Sequence, residues 1–179
     1  AETASSLKAL HLLHTMKQVN AGDPLGSNFI YYQYPFEPPT DPKDPCPDPD
    51  YENSNFDLTT TLETGLDMMM DNSDNRTTRG VVLRYGGFAP LNATAAAAQL
   101  TSTTLRHNIG CAYWDPQAEQ YKPSTLRNDT SAADLAAIWM GVQKGTLLPK
   151  NSLGRTKFLE LGNPKSGASE ELQAIINQE

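Results

Sequence analysis

The sequence predicts a mainly helical fold, and three observations carry that prediction. Apolar residues recur at helical spacing in several stretches, among them Leu10, Leu13 and Met16, then Leu62, Leu66 and Met69, then Leu135, Ile138 and Val142. Capping and stop residues stand at the ends of those stretches. Regular structure is meanwhile discouraged in two long segments, a proline-rich loop over 35–56 and an irregular, omega-like loop over 107–128. A chain of 179 residues fits a single unit, 1–179, with a real core.

The first helix is expected from Ser5 to about Asn20. Leu10, Leu12, Leu13, Met16 and Val19 form its apolar stripe, and Ala21-Gly22-Asp23-Pro24-Leu25-Gly26 stops it. Residues 28–36 are rich in aromatics and read as a short strand or an extended wall. Those aromatics suit either a substrate rim or ordinary packing on the helices. Seven prolines between Pro35 and Asp50 exclude a regular element there. The next helix is expected over 57–70, with Thr60 and Glu63 at capping-box spacing and Leu62, Leu66, Met69 and Met70 buried. Its three consecutive methionines read as core packing, not as a metal or cofactor feature. After the turn Ser73-Asp74-Asn75, a helix runs to about Tyr85 and ends at Gly86-Gly87. A short helix follows, with Pro90 in its first turn and Ala95 to Ala98 permitting close neighbours. Within 106–128 a hairpin around Asp115-Pro116 is one reading. Ser131 then caps a helix carrying Leu135, Ile138, Trp139 and Val142, which Gly145 closes. A short helix near 156–161 and another from Ser169 complete the chain.

The formal charge of −7 argues against nucleic acid as a partner, because there is no cationic surplus to neutralise phosphates. No apolar run approaches the roughly 18 residues of a membrane span. No cofactor and no metal site is expected. His11 and His14 lack a third converging ligand and read as solvent-facing or capped. Asp41, Asp44, Asp48 and Asp50 lack calcium-loop spacing. Cys46 and Cys111 have no neighbour at zinc-ligand spacing. They form either a disulfide, the preferred reading and one that fits an exported protein, or two free thiols.

Chemistry concentrates in two short motifs. Ser5 and Lys8 stand three positions apart at a helix start, where i and i+3 side chains share a face. An amine there can reach the serine hydroxyl, and the unpaired N–H groups of the first turn favour developing negative charge. Ser73-Asp74-Asn75 follows 65 positions after Lys8, at the end of the methionine-rich helix. Either motif alone is explained by helix capping, since Ser, Asp and Asn are favoured caps.

Together, in this order, the motifs resemble those of the β-lactamase/D,D-peptidase-like serine hydrolases. Tyr85-Gly86-Gly87-Phe88, the segment from Leu100 to Arg106, and the stretch from Asn128 to Leu135 are also similar to that superfamily. The resemblance implies that Ser5 attacks a carbonyl to form an acyl-enzyme and that Lys8 accepts its proton. Ser73, working as a relay with Lys8, passes a proton towards the leaving nitrogen. Asn75 binds Lys8 or the substrate amide, Asp74 caps the turn, and the Ser5 backbone N–H is one oxyanion donor. The substrates implied are β-lactams, D-alanyl peptides of the peptidoglycan type, or related amides and esters. The location implied is secreted or periplasmic, in a bacterial-type protein.

Two departures limit the transfer. The family's Glu-x-x-Leu-Asn loop is missing; Glu119 is the only glutamate between Gly110 and Asn128, and it lacks the pattern. Efficient β-lactam hydrolysis is therefore not expected. Lys165-Ser166-Gly167 has the letters of the family's Lys-Thr-Gly strand, yet Leu161-Gly162-Asn163-Pro164 before it favours a loop. Little chain precedes Ser5, and no leader is visible. The expectation is the helical region of a two-part α/β fold, with most or all of the sheet domain absent from this chain or supplied separately. Three Asn-x-Thr triplets, at Asn75, Asn92 and Asn128, read as chance glycosylation matches, since a glycan on Asn75 would block the site. Two other readings stand beside the enzyme. One is a non-catalytic relative that binds a cell-wall ligand or a protein partner. The other is an unrelated helical bundle whose motifs are coincidental caps.

Overall fold

Helix α1 (Lys8–Asn20) is the centre of the molecule, and its composition explains why. Every residue from Lys8 to Met16 is buried, so the helix needs neighbours on all sides and not along one stripe. Helices α2 to α6 supply them. The computed structural model describes residues 4–32, 40, 42–43, 57–110 and 112–162. Ala4–Leu7, which carries Ser5, is a 3-10 turn leading into α1, so the α-helix starts three residues later than expected.

The two histidines of α1 do not face solvent: His11 is 1% exposed and His14 3%. Each makes one internal hydrogen bond, and His14 Nε2 is buried with no partner among the described residues. The His11 ring bonds the Leu7 carbonyl at 3.0 Å, and the His14 ring shares a 2.7 Å hydrogen bond with the Thr94 hydroxyl. Because a carbonyl only accepts, His11 Nδ1 carries the proton. Thr15 returns its hydroxyl to the His11 carbonyl at 2.9 Å, so most of this buried polar row is hydrogen-bonded within the helix or to Thr94.

Strand β1 (Asn28–Tyr32) pairs antiparallel with β2 (Asp57–Thr61), Phe29 opposite Thr60 and Tyr31 opposite Leu58. The helix expected over 57–70 therefore begins only at Leu62, as α2 (Leu62–Asp71). Three consecutive β-branched threonines, with a partner strand available, favour the extended conformation. The cap shifts too: the Thr61 hydroxyl, not Thr60, accepts the Thr64 N–H at 3.2 Å, and Glu63 pairs with Lys157.

Phe29, fully buried, wedges its ring between α2 and α3 (Asn75–Arg84) at two glycines. A Cβ at Gly65 would lie 2.5 Å from Phe29 Cε1, and one at Gly80 2.7 Å from Cζ and 2.8 Å from the Ile30 carbonyl oxygen. Gly80→Ala meets backbone as well as ring, so it should destabilise the fold by about 1–3 kcal/mol, read by urea denaturation. Truncating the wedge as well, in Gly80→Ala/Phe29→Leu, should recover part of that loss. At the far end of α3, Arg84 grips Asp23 and Ser27, and the Tyr85 hydroxyl donates to Asp23 at 2.8 Å. This anchors the helix to the turn that follows α1.

Helix α4 (Phe88–Ala97) holds the next segment through Asn92, whose side chain accepts the Leu105 N–H and donates to the Leu105 carbonyl. Thr104 and Asp129 exchange backbone hydrogen bonds of 2.9 Å, and Arg106 pairs with the Asp129 carboxylate, closing a neck. Asn128 adds three more bonds, accepting from the Arg106 and His107 N–H groups and donating to the His107 carbonyl. Beyond the neck the chain is not irregular: β3 (Ala112–Asp115) and β4 (Gln120–Pro123) form an antiparallel hairpin around Asp115-Pro116. Trp114 and Tyr121 cross it edge to face, and Lys122 pairs with Asp115 at 2.5 Å.

Helix α5 (Ala132–Lys144) starts at the Ser131 cap and ends at Gly145, in the left-handed region, as expected. Asp134 in its first turn is buried, accepting the Ser102 N–H and the Thr103 hydroxyl. Helix α6 (Leu153–Leu161) begins three residues before the expected start because Ser152 caps it. Arg155 then donates to the Val142 and Gln143 carbonyls at the end of α5.

The two small sheets are the only ones among the described residues, and the rest of their regular structure is helical. No helix among them is long and apolar enough to cross a membrane. Cys46, Cys111, the acidic residues Asp41, Asp44, Asp48 and Asp50, the Lys165-Ser166-Gly167 triplet and the stretch from Ser169 lie outside the described residues.

Candidate active site

The opening turn and the turn after α2 meet at three side chains. Ser5 Oγ lies 3.0 Å from Ser73 Oγ, and Lys8 Nζ lies 2.9 Å from the same Ser73 oxygen. Lys8 also donates to the Ser73 carbonyl at 2.5 Å. Both serines are exposed, whereas Lys8 is 2% exposed. The amine thus approaches the hydroxyls from inside the molecule and leaves their outer side open. Residues 68 positions apart in the chain are brought within one hydrogen bond.

Local structure explains the placement of Ser73. The Asn72 and Asp74 N–H groups both return to the Met68 carbonyl, which curls the chain back over the end of α2. Ser73 takes a left-handed conformation with φ 54°, uncommon for a residue with a side chain. Asp74 caps α3, accepting the Arg76 and Thr77 N–H groups at 2.7 and 3.3 Å, and pairs with the Arg76 side chain at 2.6 Å. Burial raises the Asp74 pKa, but these donors outweigh it and hold the carboxyl below its usual value. The structural role expected for Asp74 is the one observed.

Burial is also the dominant influence on Lys8: it lowers the amine from 10.5 to about 8, against an opposing pull from Asp74. A substantial neutral fraction is then available near neutral pH, which a proton acceptor requires.

Two expected contacts are different. Lys8 makes no hydrogen bond to Ser5 among the described residues; Ser73 stands between them and joins them. A flexible four-carbon stem reaches the neighbouring turn, where a carbonyl and a hydroxyl together satisfy two of its donors. Nor does Asn75 bind Lys8. Its side chain lies against Gly110 instead, and its Oδ1 is buried with no partner among the described residues. Gly110 was not legible as part of the site. The contact joins the first residue of α3 to a loop 35 positions away, which no local pattern signals.

Other residues resolve simply. Glu119 sits exposed in the hairpin turn. The Asn92 and Asn128 side chains are occupied by loop hydrogen bonds, in keeping with a chance origin for their Asn-x-Thr triplets. No group of three or more His, Cys, Asp or Glu residues among those described could hold a metal ion.

Known structures share this architecture. A β-lactamase from Sphaerobacter thermophilus matches with TM-score 0.64 and 18% identity, over 90% of this chain and 54% of that one. A β-lactamase from Chitinophaga pinensis matches with TM-score 0.63 and 17% identity, over 92% and 56%. PBP-A matches with TM-score 0.61 and 22% identity, over 88% and 52%; a variant of it was solved as an acyl-enzyme complex with penicillin G. At such identities the likeness is one of fold, and the chain spans about half the length of each. No curated protein matches. The family model described as the β-lactamase enzyme family matches residues 1–159, and the chain belongs to that family.

Proposed function

We propose that this chain carries the nucleophile and proton relay of a serine hydrolase of the β-lactamase/D,D-peptidase type. The observation behind this reading is the unbroken line Ser5 Oγ, Ser73 Oγ, Lys8 Nζ, at 3.0 and 2.9 Å, ending on a buried amine. Ser5 Oγ attacks the substrate carbonyl and forms the C–O bond. Its proton passes to Ser73, whose own proton passes to the neutral Lys8 amine. When the C–N bond breaks, the proton returns from Lys8 through Ser73 to the leaving nitrogen, and the acyl group remains on Ser5. The Ser5 backbone N–H serves as one oxyanion donor, and the second comes from residues outside those described. Asn75 contacts the substrate.

Deacylation in this reading is slow, because the sequence lacks the family's Glu-x-x-Leu-Asn loop. Residues 1–179 alone turn over little substrate in this reading, because no substrate-aligning strand stands beside Ser5 among the described residues. Fitting substrates are β-lactams, D-alanyl peptides or related amides and esters, in a secreted or periplasmic setting.

A fluorescent penicillin and a fluorophosphonate probe test the proposal on the full-length protein. Labelling is expected at Ser5 and should be lost in Ser5→Ala. Absence of labelling by either probe, or labelling that survives Ser5→Ala, would overturn it in favour of a non-catalytic binding protein.

A further inference from the structure

We propose that Gly110 is a positioning residue for Asn75, and through it fixes how the site meets the substrate amide; this rests on the acyl-enzyme reading above. Gly110 has φ +78°, and a Cβ built on it would lie 2.5 Å from Asn75 Cγ, overlapping the amide nitrogen beyond. The missing side chain is what lets the carboxamide lie against the loop backbone. With the amide there, Asn75 stays off Lys8, and the amine is left to Ser73 alone. The Asn75 oxygen is buried and has no partner among the described residues, so packing on Gly110, not a hydrogen bond, sets where the carboxamide lies.

The loop cannot easily retreat to admit a side chain at position 110. Ile109 beside it is 2% exposed and Leu105 is likewise buried, so both root the segment in the core. The neck formed by Arg106, Asn128 and Asp129 holds its other end. Asn75 cannot shift its backbone either, since it is the first residue of α3 behind the Asp74 cap. A Cβ at position 110 must therefore turn the Asn75 side chain.

Gly110→Ala and Gly110→Asn separate the two consequences, because asparagine tolerates positive φ while both introduce the Cβ. Each should lower the second-order rate of acylation by a fluorescent penicillin about tenfold, through weaker binding. The rate at saturating probe should stay within about twofold, since Ser5, Ser73 and Lys8 are untouched. In an Asn75→Ala background, adding Gly110→Ala should cost less than about twofold more. Gly145→Ala is the control: it has a similar φ of +82°, lies at the end of α5, and should lose thermal stability while acylating like wild type.

Wild-type acylation in both Gly110 variants would overturn the proposal, as would losses that simply multiply with Asn75→Ala. If the wild-type protein is never labelled, the acyl-enzyme reading fails by itself. The melting temperatures then decide the contact: a smaller drop for Gly110→Ala in the Asn75→Ala background upholds it, and equal drops overturn it.

Discussion

A Lys8→Met variant should acylate about a thousandfold more slowly than wild type, within the range that a positioned proton acceptor supplies. Methionine keeps the length and apolar stem, so the loss reports the amine and not its packing. Lys8→Arg should fail as badly, because a guanidinium stays charged at any working pH and cannot take the proton. The pH profile of the wild-type protein supplies the second half of the prediction. The Lys8 amine, lowered to about 8 by burial, must be neutral to act. Acylation should therefore rise with pH, roughly tenfold per unit below that value, and level off above it. Stopped-flow labelling between pH 6 and pH 10, in water with and without Lys8, checks both. A flat profile would remove Lys8 from the role of base even if Ser5 is the nucleophile.

Acid should unfold the protein through His11. Its folded pKa is about 4 against an ordinary 6.5, because burial disfavours the charged ring, with its bond to Leu7 opposing and Lys8 and His14 adding. The unfolded chain therefore binds the proton more readily between those two values. Stability is full above pH 6.5, falls as the pH drops towards 4, and levels off below it. Integrated over that interval, the loss is on the order of 3 kcal/mol. His14 is lowered too, by burial first and then by Lys17, and acts in the same direction. Asp23 and Asp74, held below their ordinary value of 3.8, add their losses only at lower pH. Urea denaturation at pH 7.5 and pH 5 measures the difference. His11→Gln, which retains a donor for the Leu7 carbonyl, should remove most of it. An unchanged pH dependence in that variant would assign the effect elsewhere.

These two predictions concern neighbours on one helix, and they share a cause. A helix buried on every side places a lysine and two histidines where their charged forms are costly. Keeping Lys8 partly neutral therefore comes with a fold that weakens in acid.

Local pattern was enough to read much of this. Helix ends at Asp74, Ser131 and Gly145 depend on hydrogen bonds that reach at most four residues along the chain, so the residue types announce them. The order Ser5-x-x-Lys8, then Ser73-Asp74-Asn75, identified the family because two short motifs with defined spacing rarely coincide. Misreadings fell where a distant partner outweighs local preference. Residues 57–61 join a strand because β1 lies beside them.

By itself, then, the sequence determined which segments are helical, where most of them stop, and which family the chain belongs to. Only the tertiary structure decided that Lys8 meets Ser73 and not Ser5 or Asn75, that both histidines are buried, and that Gly110 lies on Asn75. The reason is one of range. A cap or a periodic stripe is settled within a turn or two of chain, whereas those contacts join residues 35 and 65 positions apart or depend on every helix around α1, and no local pattern encodes them.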